Sequence, residues 1–154
     1  MNAVIVASGT VDSPELLKDR CAKANLIIAA DGGAMHLYKA GVSPHIVVGD
    51  FDSIPHHVYE YYKNNVLIEF FRFPVNKDLT DLEIAIDFAI ERGVKRLSIL
   101  GANGTRLDHS IANIFLLNKL IGAGIKACLE DAHNQIFLIE KSIVLKKQEN
   151  WKVS

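Results

Sequence analysis

The regular alternation of short apolar runs with segments of helical periodicity is the feature that most constrains the fold of this chain. The runs are apolar at every position, as expected for strands that are covered on both faces. Strands are predicted at residues 4–7, 26–30, 46–49, 67–71, 97–100 and 125–130. Helices are predicted between them at residues 13–22, 33–40, 55–63, 80–92 and 108–121. This pattern predicts an α/β fold with a Rossmann-like, mostly parallel sheet and helices on both faces.

The alternation stops after residue 133. Residues 136–140 and 142–147 are predicted as two strands in close succession, and residues 151–154 have the pattern of a third. Strands that follow one another without helices indicate a hairpin or a separate all-β unit. We therefore predict an α/β domain at residues 1–133 and the first strands of a second, all-β unit at residues 134–154.

Length, charge and cysteine content narrow the functional classes. The chain has 154 residues, which is the size of one domain. Its net charge of −1 argues against broad electrostatic binding to nucleic acid or to an anionic membrane. No apolar stretch approaches the roughly 20 residues that a membrane-spanning helix needs. Cys21 and Cys128 are isolated and form no metal-binding pattern. A cytoplasmic protein is expected.

Two acidic residues follow the third predicted strand. Asp50 and Asp52 are two positions apart, so in an extended loop both side chains face the same point while Phe51 turns back toward the core. Converging carboxylates repel each other unless they share a cation, and hard oxygen ligands of this kind suit Mg²⁺ bound to phosphates. The alternative is a polar turn in which Ser53 caps a helix that begins at Pro55.

A second acidic loop precedes the fourth predicted helix. Thr80 and Glu83 have the spacing of a capping box, and Asp81 in the first helical turn favours the helix dipole without any ligand. Neither capping nor the helix dipole explains an acidic residue at Asp78, because it precedes the cap residue Thr80. The cap and the site are compatible, since a fixed loop can present its acids to a cation.

Two glycine-containing turns have the composition of phosphate-binding loops. Asp31-Gly32-Gly33 opens one predicted helix, and residues 101–109 lead from a strand into another. Backbone amides at a helix N-terminus bind phosphate, and Arg106 adds a planar donor. The alternatives are a plain strand-to-helix turn for the first loop, a helix N-cap for Asp108 and an exposed position for His109.

Taken together, these loops resemble the thiamine pyrophosphokinase family. Four motifs occur in the family's order: Asp31-Gly32-Gly33-Ala34, Gly49-Asp50-Phe51-Asp52-Ser53, Lys77-Asp78-Leu79-Thr80-Asp81-Leu82-Glu83, and Arg106-Leu107-Asp108-His109 followed by Ala112-Asn113. The resemblance covers about residues 1–135. It implies transfer of a diphosphate group from ATP to the hydroxyl of thiamine, which gives thiamine diphosphate and AMP.

The resemblance also implies roles for individual residues. The Mg²⁺ ligands would be Asp50, Asp52, Asp78 and Asp81. The residues that hold ATP would be Asp31, Gly32, Gly33, Lys77, Thr80, Gly101, Gly104, Arg106, His109 and Asn113. The catalytic residues would be Asp52, Asp81, Arg106 and Asp108, with Arg106 taking up phosphate charge and Asp108 orienting the acceptor hydroxyl.

Members of this family continue into a C-terminal β domain and act as homodimers, with thiamine bound between the α/β domain of one subunit and the β domain of the other. This chain resembles one that ends just after that domain begins, which leaves thiamine binding and dimerisation open. It also departs from the family at Thr105, where a glycine is common. Two alternatives remain: a pyrophosphokinase for another small alcohol such as a hydroxymethylpterin, and a non-catalytic nucleotide-binding module.

Overall fold

The computed structural model describes residues 1–74, 79–104, 106–145 and 152. The strands in this part of the chain are β1 (Asn2–Val6), β2 (Leu26–Ala30), β3 (Ile46–Gly49), β4 (Glu69–Arg72), β5 (Arg96–Leu100), β6 (Lys126–Glu130) and β7 (Gln135–Ile136). The helices are α1 (Pro14–Ala22), α2 (Gly33–Ala40), α3 (His56–Lys63), α4 (Asp81–Glu91) and α5 (Leu107–Gly122). Every strand and helix predicted before residue 133 is present, with ends that differ by no more than two residues.

The strands form one sheet in the order β4-β3-β2-β1-β5-β6-β7. All neighbouring pairs from β4 to β6 are parallel, and only β7 runs antiparallel to its neighbour β6. The chain adds strands outward from β1 on one side and then returns to β5 on the other. The carboxyl ends of β1 and β5 therefore flank the point where the strand order reverses, which is where open α/β sheets bind ligands. The predicted α/β fold is confirmed.

Both faces of the sheet are covered, which explains why the strands are apolar throughout. Val4 and Val6 of β1 pack with helices α1, α2 and α3, whereas Ile5 between them packs with α4 and α5. Burying both sets of side chains provides most of the stabilisation of such a domain, at roughly 25 cal/mol per Å² of apolar surface. Among the described residues, no helix is both long and apolar enough to cross a membrane.

The region after residue 133 differs from the prediction. The strand expected at residues 136–140 is reduced to β7, and residues 137–145 lie outside any strand. A strand persists only where a neighbour pairs with its backbone groups, and here pairing with β6 extends over two positions, Leu129 with Ile136 and Glu130 with Gln135. Residues 146–147, 151 and 153–154 of the other expected strands are outside the described part of the chain. The division at residue 134 stays a prediction.

The predicted helix cap at Thr80 is present, and the two caps considered as alternatives, at Ser53 and Asp108, are not. Thr80 caps α4 as expected, because its Oγ1 accepts a hydrogen bond from the Glu83 backbone N–H at 3.2 Å. Ser53 does not cap α3, since Pro55 occupies the N-cap position. Asp108 is not the N-cap of α5 either; Arg106 is, and Asp108 lies in the first turn.

A buried ion pair joins the end of β6 to α1. Glu130 accepts hydrogen bonds from Arg20 Nε at 2.7 Å and Nη2 at 2.9 Å, and from Gln135 Nε2 at 3.0 Å. The Glu130 side chain is 1% exposed. Burial opposes its ionisation, but the hydrogen bonds from Arg20, Ser98 and Gln135 outweigh that effect and lower the pKa of this carboxyl.

We expect Glu130→Gln to lower the free energy of unfolding by about 2–3 kcal/mol at neutral pH. Because the folded-state pKa is lowered, the stabilisation is present above the unfolded pKa of about 4.3 and is lost as pH falls through the folded pKa. The difference between the two proteins should therefore shrink in acid, as measured by urea unfolding at several pH values. Glu69→Gln, which removes the exposed partner of Arg92, is the control and should change stability by less than about 1 kcal/mol. An equal loss for both variants would contradict this assignment.

Candidate functional site

A cavity of about 810 Å³ opens at the carboxyl edge of the sheet, next to the ends of β1 and β5. Loops from distant parts of the sequence meet there because the parallel strands end at the same edge. The predicted site residues that line it are Asp50, Thr80, Asp81, Gly101, Gly104, Arg106, His109 and Asn113. The position is the one expected for a ligand site in an open α/β sheet.

The loops after β1 and β5 are joined into one floor. The Gly9 N–H donates to the Gly101 carbonyl at 2.8 Å, and the Thr10 N–H donates to the Asn103 carbonyl at 2.7 Å. A Cβ atom on Gly9 would lie only 2.3 Å from the Asn103 carbonyl oxygen, so this approach requires glycine. His36 on α2 contacts the same loop, with its Nε2 2.8 Å from the Gly9 carbonyl oxygen.

Helix α5 supports the glycine-rich loop at residues 101–104 from the other side. Asn113 Nδ2 donates to the Ala102 carbonyl at 2.7 Å, and the Gly104 N–H donates to Ser110 Oγ at 3.3 Å. Asn113 is thus held against the loop. Thr105, where the sequence departs from the family, lies outside the described residues.

Three carboxylates converge beside this floor. Asp31, Asp50 and Asp52 each offer one oxygen, and these oxygens lie within 4.8 Å of one another. Asp50 and Asp52 lie close together as predicted, but in a turn rather than in the extended loop that the prediction assumed. Phe51 between them has a φ of 71° and packs its ring against Phe70, with 5.7 Å between ring centroids. The turn toward the core was expected; the positive φ was not.

Asp31 is the carboxylate of this group with the strongest need for a cation. Only 6% of the residue is exposed, and its Oδ1 is buried without a hydrogen-bond partner among the described residues. Burial raises the pKa of the Asp31 carboxyl, and the carboxylates of Asp81 and Asp50 raise it further. Hydrogen bonds from Ser53 and from the Gly32 backbone offset only part of this effect, so a bound cation would favour the charged form of Asp31. The donor set fits Mg²⁺ or a similar hard divalent ion.

The carboxylates that lie together among the described residues are not the same set as the predicted metal ligands. The resemblance placed Asp31 with the nucleotide, whereas the structure groups it with Asp50 and Asp52. Asp81 lies close to them, since its Oδ1 is 3.3 Å from the position that a Cβ on Gly49 would occupy. Asp78, the fourth predicted ligand, and Lys77 lie outside the described residues.

The predicted catalytic arginine is already paired. Arg106 donates to Asp108 through Nε at 3.2 Å and Nη2 at 2.7 Å, and both side chains are more than half exposed. The guanidinium lowers the pKa of the Asp108 carboxyl, which is therefore ionised at neutral pH. Arg106 and His109 line the cavity, and Asp108 holds Arg106 at its mouth.

The two glycines that follow Asp31 lie at the start of α2. Gly32 is the N-cap residue of this helix, and Gly33 is its first residue. Gly33 is buried directly against the end of β1, where a Cβ would lie 1.9 Å from the Val6 carbonyl oxygen. Its role in this structure is close packing of helix on strand.

The sequence placed Gly9 in a polar loop at the ligand edge and Asn103 in the glycine-rich turn, but predicted no contact for either, and it assigned no role to Thr10 or His36. Gly9 had one visible signal, a polar glycine turn at the end of the first strand. The contacts of His36 and Asn103 join residues far apart in the chain, and no local pattern marks them.

A second cavity of about 870 Å³ lies beneath residues 137–145 and is lined by side chains of β1, β5, β6 and α5. None of the predicted site residues lines it. Cys128 does, but burial raises the pKa of this thiol to about 12, so it is not a thiolate at neutral pH. The chemistry is concentrated at the other cavity.

Comparison with known proteins identifies relatives of this chain. Residues 17–129 match the family model described as "Thiamin pyrophosphokinase, catalytic domain". The thiamine pyrophosphokinase of Bacillus subtilis strain 168 is 35% identical, over 72% of this chain and 51% of the relative. Thiamine pyrophosphokinase 1 of Oryza sativa subsp. japonica is 30% identical, over 82% of this chain and 54% of the relative.

Solved structures agree in fold. The crystal structure of thiamine pyrophosphokinase from Bacillus subtilis superposes with a TM-score of 0.76 at 31% identity, covering 89% of this chain and 63% of that one. Yeast thiamin pyrophosphokinase superposes with a TM-score of 0.78 at 20% identity, covering 91% of this chain and 61% of that one, and at that identity shows the fold alone.

This chain spans about half the length of the curated relatives that it matches. The match of residues 17–129 nevertheless includes the loops after β2, β3 and β5, which carry the acidic group and residues 101–104 of the floor. The chain therefore belongs to the thiamin pyrophosphokinase family.

Proposed function

We propose that this chain carries the ATP- and metal-binding part of a thiamine pyrophosphokinase, which transfers diphosphate from ATP to the hydroxyl of thiamine and releases AMP. The observation that supports it most is the buried Asp31, whose Oδ1 has no partner among the described residues, grouped with Asp50 and Asp52. This group lies beside a cavity with a glycine-rich floor, and the chain belongs to the thiamin pyrophosphokinase family.

Asp31, Asp50 and Asp52 would hold Mg²⁺, with Asp81 next to them; Asp78 remains a proposed ligand from the sequence. The ion, when bound, neutralises these acids and polarises the phosphate under attack. The carboxylates of this chain fix where it sits. Asp50 is itself held by the loop, because its Oδ1 accepts a hydrogen bond from the Asp52 backbone N–H at 3.0 Å.

The nucleotide phosphates would lie on the joined loops after β1 and β5. The backbone amides of residues 101–103 and of Gly33 at the start of α2 are the proposed donors, and Lys77, Thr80 and His109 complete the proposed nucleotide site. The N–H groups of Gly104 and Gly32 are engaged by Ser110 and Asp31, so these glycines would shape the loops instead. Arg106 supplies a fixed positive charge where charge shifts among phosphate oxygens during transfer. Asn113 acts through the Ala102 carbonyl that it contacts, which keeps the loop in shape.

Asp108 is the proposed group that orients the acceptor hydroxyl. An exposed aspartate is ionised at neutral pH, and Arg106 lowers the pKa of Asp108 further, so this carboxylate can accept a hydrogen bond from an alcohol. Phosphoryl transfer depends mainly on position and charge neutralisation and needs no strong base. Asp52, in the acidic group, and Asp81, which lines the cavity, are proposed to align the reacting phosphate.

Two further proposals concern location and assembly. A cytoplasmic location is supported by the free cysteines Cys21 and Cys128, which suit a reducing compartment. A homodimer is supported by the exposed apolar side chains near the C-terminus, among them Ile139, Ile143 and Val144. The net charge of −1 is unfavourable for binding a nucleic acid, so no nucleic-acid partner is proposed.

We expect Asp52→Asn to reduce thiamine-dependent AMP formation at least about 100-fold, because one ligand charge is removed from the metal group. AMP and thiamine diphosphate are measured by chromatography after incubation with Mg²⁺, ATP and thiamine. Because relatives are longer, the assay uses both this chain and a chimera that joins it to the part of the Bacillus subtilis relative outside the match. Asp87→Asn, whose carboxylate pairs with Lys119 away from the site, is the control and should keep full activity.

Three results would contradict the proposal in different ways. Unchanged activity in the Asp52→Asn variant would refute the metal assignment. AMP that appears with a hydroxymethylpterin and not with thiamine would refute the acceptor. ATP binding without AMP from either preparation, with any acceptor, would indicate a non-catalytic nucleotide-binding module.

A further inference from the structure

Asp131, the residue directly after β6, connects two loops through opposite oxygens of one carboxylate. Its Oδ1 accepts hydrogen bonds from the backbone N–H groups of His133 and Asn134, each at 2.8 Å, which closes the turn into β7. Its Oδ2 accepts a hydrogen bond from Asn103 Nδ2 at 3.0 Å. Asn103 belongs to the glycine-rich loop after β5, 28 positions earlier in the chain.

Asn103 in turn connects that loop to the one after β1. Its carbonyl oxygen accepts the Thr10 N–H at 2.7 Å, while its side chain is held by Asp131. A second contact runs in parallel, because Asp12 Oδ1 accepts the Ala132 N–H at 3.2 Å. The loops after β1, β5 and β6 are therefore joined into one unit, with Asn103 at its centre.

The hydrogen bond from Asn103 to Asp131 has an ordinary length of 3.0 Å and an ionised acceptor. Burial opposes ionisation of Asp131, but hydrogen bonds from His133, Asn134 and Asn103 outweigh it and lower the pKa of this carboxyl. An ionised acceptor makes shorter and stronger hydrogen bonds than a neutral one. Asn103 is half-buried and lines the cavity of about 810 Å³ at the carboxyl edge of the sheet.

We propose that Asp131 is a positioning residue: by fixing the Asn103 side chain, it holds residues 101–104 in the shape that receives the nucleotide phosphates. The proposal rests on the proposed function, because it assigns the loop to ATP. It predicts that the turn after β6, which lies outside the cavity lining, controls nucleotide affinity. A purely structural role would instead change stability alone.

Exchanging the two side chains separates these roles. Asn103→Asp places two carboxylates against each other, and we expect it to weaken the binding of α,β-methylene-ATP with Mg²⁺ at least about 10-fold, as loss of a supporting partner does elsewhere. Adding Asp131→Asn restores one donor and one acceptor in the reversed order. The double variant should therefore recover to within about 3-fold of the wild type, by titration calorimetry.

Asn134→Ala is the matched control. It removes donors at 3.0 and 3.1 Å from the same Asp131 carboxylate without touching Asn103. It should lower the thermal unfolding temperature and leave nucleotide affinity unchanged. The inference is overturned if Asn103→Asp binds like the wild type, if the double variant binds as weakly as the single one, or if Asn134→Ala loses affinity equally. No binding by the wild-type chain would instead refute the proposed function, and the inference with it.

Discussion

Replacement of Asp31 by asparagine should stabilise the metal-free protein and abolish its response to Mg²⁺ and ATP. The amide has the same shape, and asparagine tolerates the φ of 45° at this position. The change removes a buried charge whose pKa is raised by burial and by the acids of Asp81 and Asp50. We expect a gain of about 1–3 kcal/mol in the free energy of unfolding at neutral pH without metal, measured by urea denaturation.

The free energy of unfolding of the metal-free protein should depend on pH through Asp31. Because the folded-state pKa of Asp31 is raised, its favourable contribution is complete below the unfolded value of about 3.9 and is lost as pH rises through the folded pKa. The metal-free wild type should thus gain stability from this group on mild acidification, and the Asp31→Asn variant should lack that gain.

The functional loss should be large. Without the Asp31 charge we expect the rate of thiamine-dependent AMP formation, measured in the assay described for Asp52→Asn, to fall about 100- to 1,000-fold. This is in line with the several kcal/mol by which a bound metal stabilises the transition state. Asp19→Asn, which removes an exposed acid paired with Arg20, is the control and should leave both measurements unchanged. A variant that is less stable without metal, or one that keeps its activity, would contradict the assignment of Asp31.

Replacement of Gly33 by alanine should have the largest effect on folding. The added Cβ would lie 1.9 Å from the Val6 carbonyl oxygen and 2.6 Å from its carbonyl carbon, and backbone atoms of a central strand cannot move aside. Helix α2 must therefore shift away from β1. We expect a loss of about 3 kcal/mol or more in the free energy of unfolding, or failure to fold, measured by urea denaturation.

Gly122→Ala is the matched control, because it lies in the last turn of α5 and its Cβ would meet nothing within 4 Å. There the same change should be neutral or stabilising by up to about 1 kcal/mol. If Gly33→Ala were tolerated as well as Gly122→Ala, the close packing of α2 on β1 would be wrong.

The central sheet could be predicted because local pattern and tertiary environment agree. Strands β2 and β3 are buried on both faces, so their apolar runs mark their bounds directly. β7 could not be predicted in the same way. Residues 137–139 are as apolar as a strand, yet a strand also requires a pairing partner, which sequence pattern does not report.

In the candidate site, too, local features could be predicted from the sequence and contacts between distant residues could not. Thr80 caps α4 because that contact is local. Asp50 and Asp52 are also neighbours in sequence, but they come together in a turn with a positive φ at Phe51, which their spacing did not predict. The inclusion of Asp31 depends on β2 lying beside β3, and the contact of Asn103 with Asp131 depends on β5 lying beside β6. Such contacts follow from sheet order, which the motifs do not contain.

The most direct test of a shared magnesium and ATP site is a calorimetric titration of α,β-methylene-ATP into the wild-type chain, with Mg²⁺ and again with EDTA. Saturable binding that requires Mg²⁺ is expected, because the acids of Asp31, Asp50 and Asp52 repel phosphate unless a cation lies between them. Equal affinity in EDTA, or no binding under either condition, would contradict it.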